Sequence, residues 1–171
     1  MIGVAVSGLG VGEQHALAFA ADPRARVLWL HDLDGVRAQR LVREFPGSRS
    51  APSYEAMLAD PAVQVVSVAS FDGAHFAQAR DALRAGKHVF VEKPLCTNDA
   101  ELAVLKALWT GSRGCLCIGS NLVLRAAPAY RWLKRAVSAG EFGALYAIDG
   151  DYLYGRLQKI TDGWRAGVRD Y

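Results

Sequence analysis

The chain has 171 residues, 51% of them hydrophobic and 22% charged, an ordinary globular balance that excludes a disordered, collagen-like or low-complexity chain. Its 20 lysines and arginines against 17 aspartates and glutamates leave +3, and the basic residues are scattered rather than gathered into a stripe, so nucleic acid is not an expected partner. The length suits one full domain and part of a second.

Ile2 to Ser7 is a β-branched apolar run ending at Gly8, the pattern of a strand buried on both faces. Ala16, Leu17, Phe19 and Ala20 then fall at helical spacing until Asp22 and Pro23, and Val27 to Leu30 predicts a second strand ending at His31 and Asp32. Asp34 can cap a helix carrying Ala38, Leu41, Val42 and Phe45, which Pro46 and Gly47 break. A short helix is expected from Tyr54 to Ala59, a strand from Val63 to Ala69, and a helix from Ala74 to Ala85 with Gly86 as its C-cap.

Lys87 to Val91 predicts a strand leading into Glu92, Lys93 and Pro94. Asn98 and Glu101 have capping-box spacing ahead of Leu102, Leu105, Leu108 and Trp109, and Cys115 to Gly119 predicts one more strand. Strand and helix alternate throughout, which implies a doubly wound parallel sheet of Rossmann type, α/β in class, over residues 1–120. Residues 121–171 are expected to begin a second α/β or α+β domain. Pro128 opens a helix ending at Gly140, Leu145 to Tyr154 reads as a long strand, and the tail from Gly155 adds no clear element. That strand needs a cover, and a homo-oligomer formed through it is one expectation.

No apolar run approaches bilayer length, and Met1 to Val6 lead into a glycine turn with no basic leader, so a cytoplasmic protein without a membrane partner is expected. Cys96, Cys115 and Cys117 are an odd count, read as buried reduced thiols. The histidines His15, His31, His75 and His88 show no ligand spacing, so no metal is expected, and Ser7 and Ser70 lack a nucleophile-elbow context. His88, inside a strand, reads as a satisfied structural histidine, and His15 as a support for the turn that precedes it.

Chemistry concentrates where strands end. Gly8, Leu9, Gly10, Val11 and Gly12 join the first strand to the first helix, where bare amides and a helix N-terminus favour a phosphate. The spacing departs from G-x-G-x-x-G, with Glu13 at the usual third-glycine place and Gly12 one residue early. Asp32 lies where a carboxylate can accept from an adenosine ribose and repel a 2′-phosphate, favouring NAD, with NADP as the alternative. Lys93, its chain direction set by Pro94, can hydrogen-bond a substrate hydroxyl beside a nicotinamide.

The glycine turn followed by His15, Asp32, the run from Ala85 through Lys87, His88 and Glu92 to Pro94, and Arg125 with Pro128 together resemble the Gfo/Idh/MocA family of oxidoreductases, which contains glucose-fructose oxidoreductase and inositol dehydrogenase. The resemblance implies reversible oxidation of a sugar, polyol or similar hydroxyl compound with NAD or NADP. Lys93 is then the catalytic residue, and Gly8, Leu9, Gly10, Val11, Gly12, Asp32, Ser70, His75, Glu92, Lys93 and Asn121 bind the cofactor, with Arg125 at the entry to the substrate cleft. Family members continue past residue 171 and carry a pocket aspartate and histidine with no counterpart here. Tyr152, Tyr154, Arg156 and Arg165 are the remaining polar candidates, and a non-catalytic nucleotide-binding module is the alternative function.

Overall fold

The structure is a computed structural model that describes residues 1–153, 155 and 158–162. It divides into two compact units, Met1–Arg125 and Ala126–Tyr171. In the first, β1 (Ile2–Ser7), β2 (Ala25–His31), β3 (Arg49–Ser50), β4 (Val65–Val68), β5 (His88–Val91) and β6 (Ile118–Ser120) alternate with α1 (Gly12–Ala21), α2 (Gly35–Val42), α3 (Tyr54–Ala59), α4 (His75–Arg84) and α5 (Asp99–Gly111). All pairings are parallel, in the order β3-β2-β1-β4-β5-β6. The strand order reverses between β1 and β4, and in such sheets the crevice for ligands opens there, at the carboxyl edge.

Side chains alternate across each strand, so the sheet feeds two cores. Val4 and Val6 pack with Ala16, Val27, Leu30, Leu41 and Phe45 beneath α1 and α2. Ala5, Val66, Val68, Val89 and Val91 join Met57, Ala82 and Leu105 on the opposite face. Helices on both faces explain the nearly continuous apolar runs of the central strands.

Local signals act as expected at most boundaries. The Asp34 carboxylate accepts from the Val36 and Arg37 amides, and Gly86 takes φ +73° after α4. Asn98 accepts from the Glu101 amide at 3.0 Å. The return arm of the expected capping box goes elsewhere, since Glu101 accepts from the Thr97 amide and hydroxyl at 2.9 and 3.1 Å. His88 is satisfied, its Nδ1 accepting from the Cys117 amide at 3.0 Å.

Two expectations are corrected. After α5 the chain passes through left-handed positions at Arg113 and Gly114, which delays the last strand to Ile118, so Cys115 and Cys117 precede it and are exposed rather than buried. The strand expected from Leu145 does not form within residues 145–153, which pair with no other described strand; Tyr154 lies outside the described residues. In the second unit α6 (Pro128–Ser138) begins with proline at its first turn, Gly140 follows at φ +75°, and Trp132 meets Phe142 edge-on at 6.2 Å. A short α7 (Gln158–Thr161) occupies the tail where no element was expected. No helix among the described residues is long and apolar enough to cross a membrane.

The central strand tolerates no added bulk at Gly3, where a Cβ would run into the Ala62 carbonyl oxygen and lie 2.6 Å from Leu28 Cδ1. We expect Gly3→Ala to cost about 2 kcal/mol, read as a lower urea midpoint with an unchanged slope. An unmoved midpoint would contradict this packing.

Candidate functional site

The site grows from the turn after β1. Gly8 has φ +83°, and a Cβ there would stand 2.5 Å from the Ala69 carbonyl and the Ser70 nitrogen. Only glycine lets β1 leave the sheet so close to the end of β4. At Gly12 a Cβ would press on Val6 Cγ1 and Ala69 Cβ at 3.0 and 3.2 Å, so this residue brings α1 close to the sheet despite its early place in the motif. Around Gly10 the Cβ direction meets nothing within 4 Å. α1 starts with no side-chain cap, leaving its leading amides available to an anion. A tight inner wall and an open outer one therefore form a backbone cradle that fits a diphosphate.

Asp32, one residue beyond β2, closes the cradle. Its Oδ2 accepts from the Leu9 amide at 2.6 Å and lies 3.5 Å from Arg37 Nη1, while Oδ1 accepts from the Asp34 amide at 2.9 Å. A carboxylate has about four acceptor positions, so capacity remains for ribose hydroxyls. These residues fit a dinucleotide. The Leu9 side chain itself is buried, and Val11 is half-exposed where α1 begins.

Beneath the crevice runs a polar line from the end of β4 to the end of β2. The Ser70 hydroxyl donates to Gln78 Oε1 at 2.7 Å, Gln78 Nε2 donates to Ser7 Oγ at 3.2 Å, and the Ser7 hydroxyl reaches His31 Nδ1 at 3.1 Å. Burial holds the His31 imidazole below its ordinary 6.5, against the opposing pull of Asp32 and Glu55. Tyr54 donates to the Gln78 carbonyl at 2.7 Å, and burial pushes its phenol far above the usual range.

At the end of β5, Glu92 gathers three donors. Its Oε1 accepts from Asn121 Nδ2 at 2.6 Å and His15 Nε2 at 3.1 Å, and Oε2 accepts from the Lys93 amide at 3.2 Å. His15 Nδ1 pairs with the Ser67 hydroxyl at 2.8 Å, so this histidine joins α1 to β4 and β5. Burial pushes the Glu92 carboxyl up, but the bonds from Asn121, His15 and Lys93 outweigh it and the group titrates below its ordinary 4.5. Lys93 is exposed, and no hydrogen bond or ion pair joins its ammonium to another described side chain.

His75 is placed differently from expectation. It is fully buried at the start of α4, with Nδ1 2.6 Å from the Pro94 carbonyl and Nε2 3.1 Å from the Ser70 carbonyl, so its ring lies under the crevice wall and not on its surface. Asn121 Nδ2 is likewise engaged within the protein, donating to Glu92 Oε1. Arg125 closes a short turn at Val123–Arg125, and Tyr152 is exposed in the second unit; Arg156 and Arg165 lie outside the described residues. Sequence reasoning missed Gln78, Ser67 and Arg37. Only Gln78 carried a signal, standing three residues beyond His75 on one helix.

A six-stranded parallel sheet of this order, with a glycine turn after its first strand and a carboxylate at the end of its second, defines a Rossmann fold of the dinucleotide-binding class. The family model of the Gfo/Idh/MocA oxidoreductases, described as an oxidoreductase family with an NAD-binding Rossmann fold, matches residues 2–119, and the chain belongs to that family. It is 33% identical over 151 residues to inositol 2-dehydrogenase of Gluconacetobacter diazotrophicus, covering 86% of this chain and 44% of the relative. With inositol 2-dehydrogenase of Acidothermus cellulolyticus it shares 35% identity over 135 residues, 78% of this chain and 39% of the other. Myo-inositol dehydrogenase from Lactobacillus casei, solved in complex with NAD(H) and myo-inositol, superposes with TM-score 0.78 at 29% identity, over 84% of this chain and 43% of its own. A 3-ketoreductase from Actinomadura kijaniata, solved with NADP and TDP-benzene, superposes with TM-score 0.71 at 31% identity, over 81% and 42%. The chain thus spans less than half the length of these relatives.

The Glu92 cluster makes a pH prediction. A carboxyl titrating lower in the folded than in the unfolded state stabilises the fold above its unfolded value, and that contribution fades as pH falls through the folded one. Wild type should exceed Glu92→Gln by about 1–2 kcal/mol at neutral pH, with the gap closing as pH drops below about 4. Urea unfolding across pH reads this directly; a gap that widens on acidification would contradict it.

Proposed function

We propose that this chain carries the cofactor-binding part of an NAD(P)-dependent oxidoreductase that moves hydride between a nicotinamide and a hydroxyl-bearing carbon of a sugar or polyol. The observation that carries the reading is the exposed ammonium of Lys93 at the sheet edge that also bears the glycine cradle, two strands across, roughly 10 Å at ordinary strand spacing. The names of the relatives, inositol dehydrogenases and a 3-ketoreductase, support the substrate class.

On this reading the amides of Gly10 to Gly12 hold the diphosphate and Asp32 accepts from the ribose. When bound, the nicotinamide supplies the hydride acceptor or donor. Lys93 hydrogen-bonds the substrate oxygen, orients its carbon, and steadies the charge that develops as the hydroxyl proton leaves. Asp32 favours NAD, while Arg37, 3.5 Å from it, offers a cation to a 2′-phosphate, so NADP is the second cofactor to titrate. Three free cysteines agree with a reducing, cytoplasmic setting.

Calorimetric titration with NADH and NADPH tests the reading. Gly10→Val fills the open cradle without touching the fold, so it should weaken binding at least about tenfold, ~1.4 kcal/mol, with unchanged melting. Lys93→Met should keep the affinity within about twofold and abolish hydride transfer to a responsive polyol. Undiminished binding by Gly10→Val would refute the cradle, and binding with no transfer to any sugar or polyol would favour a nucleotide-binding module.

The proposal extends to a homo-oligomer formed through the stretch that starts at Leu145, where Leu145, Tyr146, Ile148 and Leu153 expose apolar side chains. Sedimentation equilibrium should show mass above that of one chain. A monomer at high concentration would remove this part.

A further inference from the structure

We infer that His75 is a positioning residue for Lys93, holding the lysine's loop against the crevice wall from beneath; this rests on the proposed role of Lys93. The residues on both sides of Lys93 are tied down, while its own side chain is not. On one side Glu92 is held by Asn121, His15 and the Lys93 amide. On the other, the Pro94 carbonyl lies 2.6 Å from Nδ1 of His75, whose second nitrogen lies 3.1 Å from the Ser70 carbonyl. Ser70 follows β4 and Pro94 follows β5, adjacent strands of the sheet, so the imidazole fills the space between the two loops that flank the crevice at this end and bonds the one that carries Lys93.

Burial makes the ties matter. His75 is 0% exposed, so water cannot replace its bonds, and a carbonyl left without a donor in such a place is costly. Both oxygens only accept and a neutral ring carries one N–H, so the shorter contact points to Nδ1–H donating to Pro94, which leaves Nε2 against the Ser70 carbonyl as a packing contact. α4 supplies the rigid base, since His75 is its first residue and Phe76, Ala79, Ala82 and Leu83 join the core behind it. A flexible arm on a backbone fixed at both ends can reach a reacting oxygen while keeping its origin constant, which is the requirement for preorganised catalysis.

Three substitutions separate this role from plain packing. An asparagine amide can stand near Nδ1 and keep the Pro94 bond, a glutamine amide reaches only the Nε2 position beside the Ser70 carbonyl, and phenylalanine donates to neither. Hydrogen exchange of residues 92–97 should quicken about tenfold in His75→Gln and His75→Phe and stay near wild type in His75→Asn, with β1 and α1 unaffected. By calorimetry, NADH and ADP-ribose should each bind all variants within about twofold, while hydride transfer to a responsive polyol falls about tenfold in His75→Gln and His75→Phe and stays near wild type in His75→Asn. If His75→Phe fails to fold, the comparison of Asn with Gln decides. Unchanged exchange in His75→Gln, or His75→Asn behaving no better than it, would overturn the inference. A wild-type chain that binds neither nucleotide would sink the proposed function, and the exchange comparison would still judge His75.

Discussion

At the switch point of the sheet, β1 must leave its layer with backbone nearly touching backbone. Gly8 sits against Ala69 and Ser70, and Gly12 against Val6 and Ala69, so no side chain fits on the inner side of the turn. The same closeness sets α1 near the sheet and leaves the outer side at Gly10 bare. Everything proposed for the site depends on this asymmetry, since a diphosphate needs amides that no Cβ shields.

Around that cradle the protein spends buried polar groups on geometry. Asp32 fixes the turn through the Leu9 amide, Gln78 joins the ends of β1 and β4, and Glu92 draws α1, β5 and the loop after β6 to one carboxylate. Polar groups at such depth are costly when unpaired. Asp32, Gln78 and Glu92 each have partners within the protein, so the crevice floor is set before any ligand arrives. Lys93 stands apart, with an ammonium free of described partners at the rim of this framework.

Much of this could be read from the sequence because it is local. The end of β1 at glycine, the Asp34 cap, Pro128 at the start of α6 and Lys93 directly after a strand each depend on neighbours within a few residues. What escaped is non-local. The family resemblance put His75 among the crevice residues, yet its ring turns inward to Pro94, nineteen residues away in sequence. Cys115 and Cys117 looked buried because they sit in an apolar run, but a left-handed turn at Arg113 and Gly114 delays the strand past both. Leu145 to Leu153 alternates like a strand, and alternation alone cannot form one without a neighbour to pair with.

The most direct measurement is a crystal structure of the chain with NADH. The account predicts the diphosphate on the amides of Gly10 to Gly12, an adenosine ribose at Asp32, and the nicotinamide within reach of Lys93. A dinucleotide seated elsewhere, or one whose nicotinamide points away from Lys93, would contradict it.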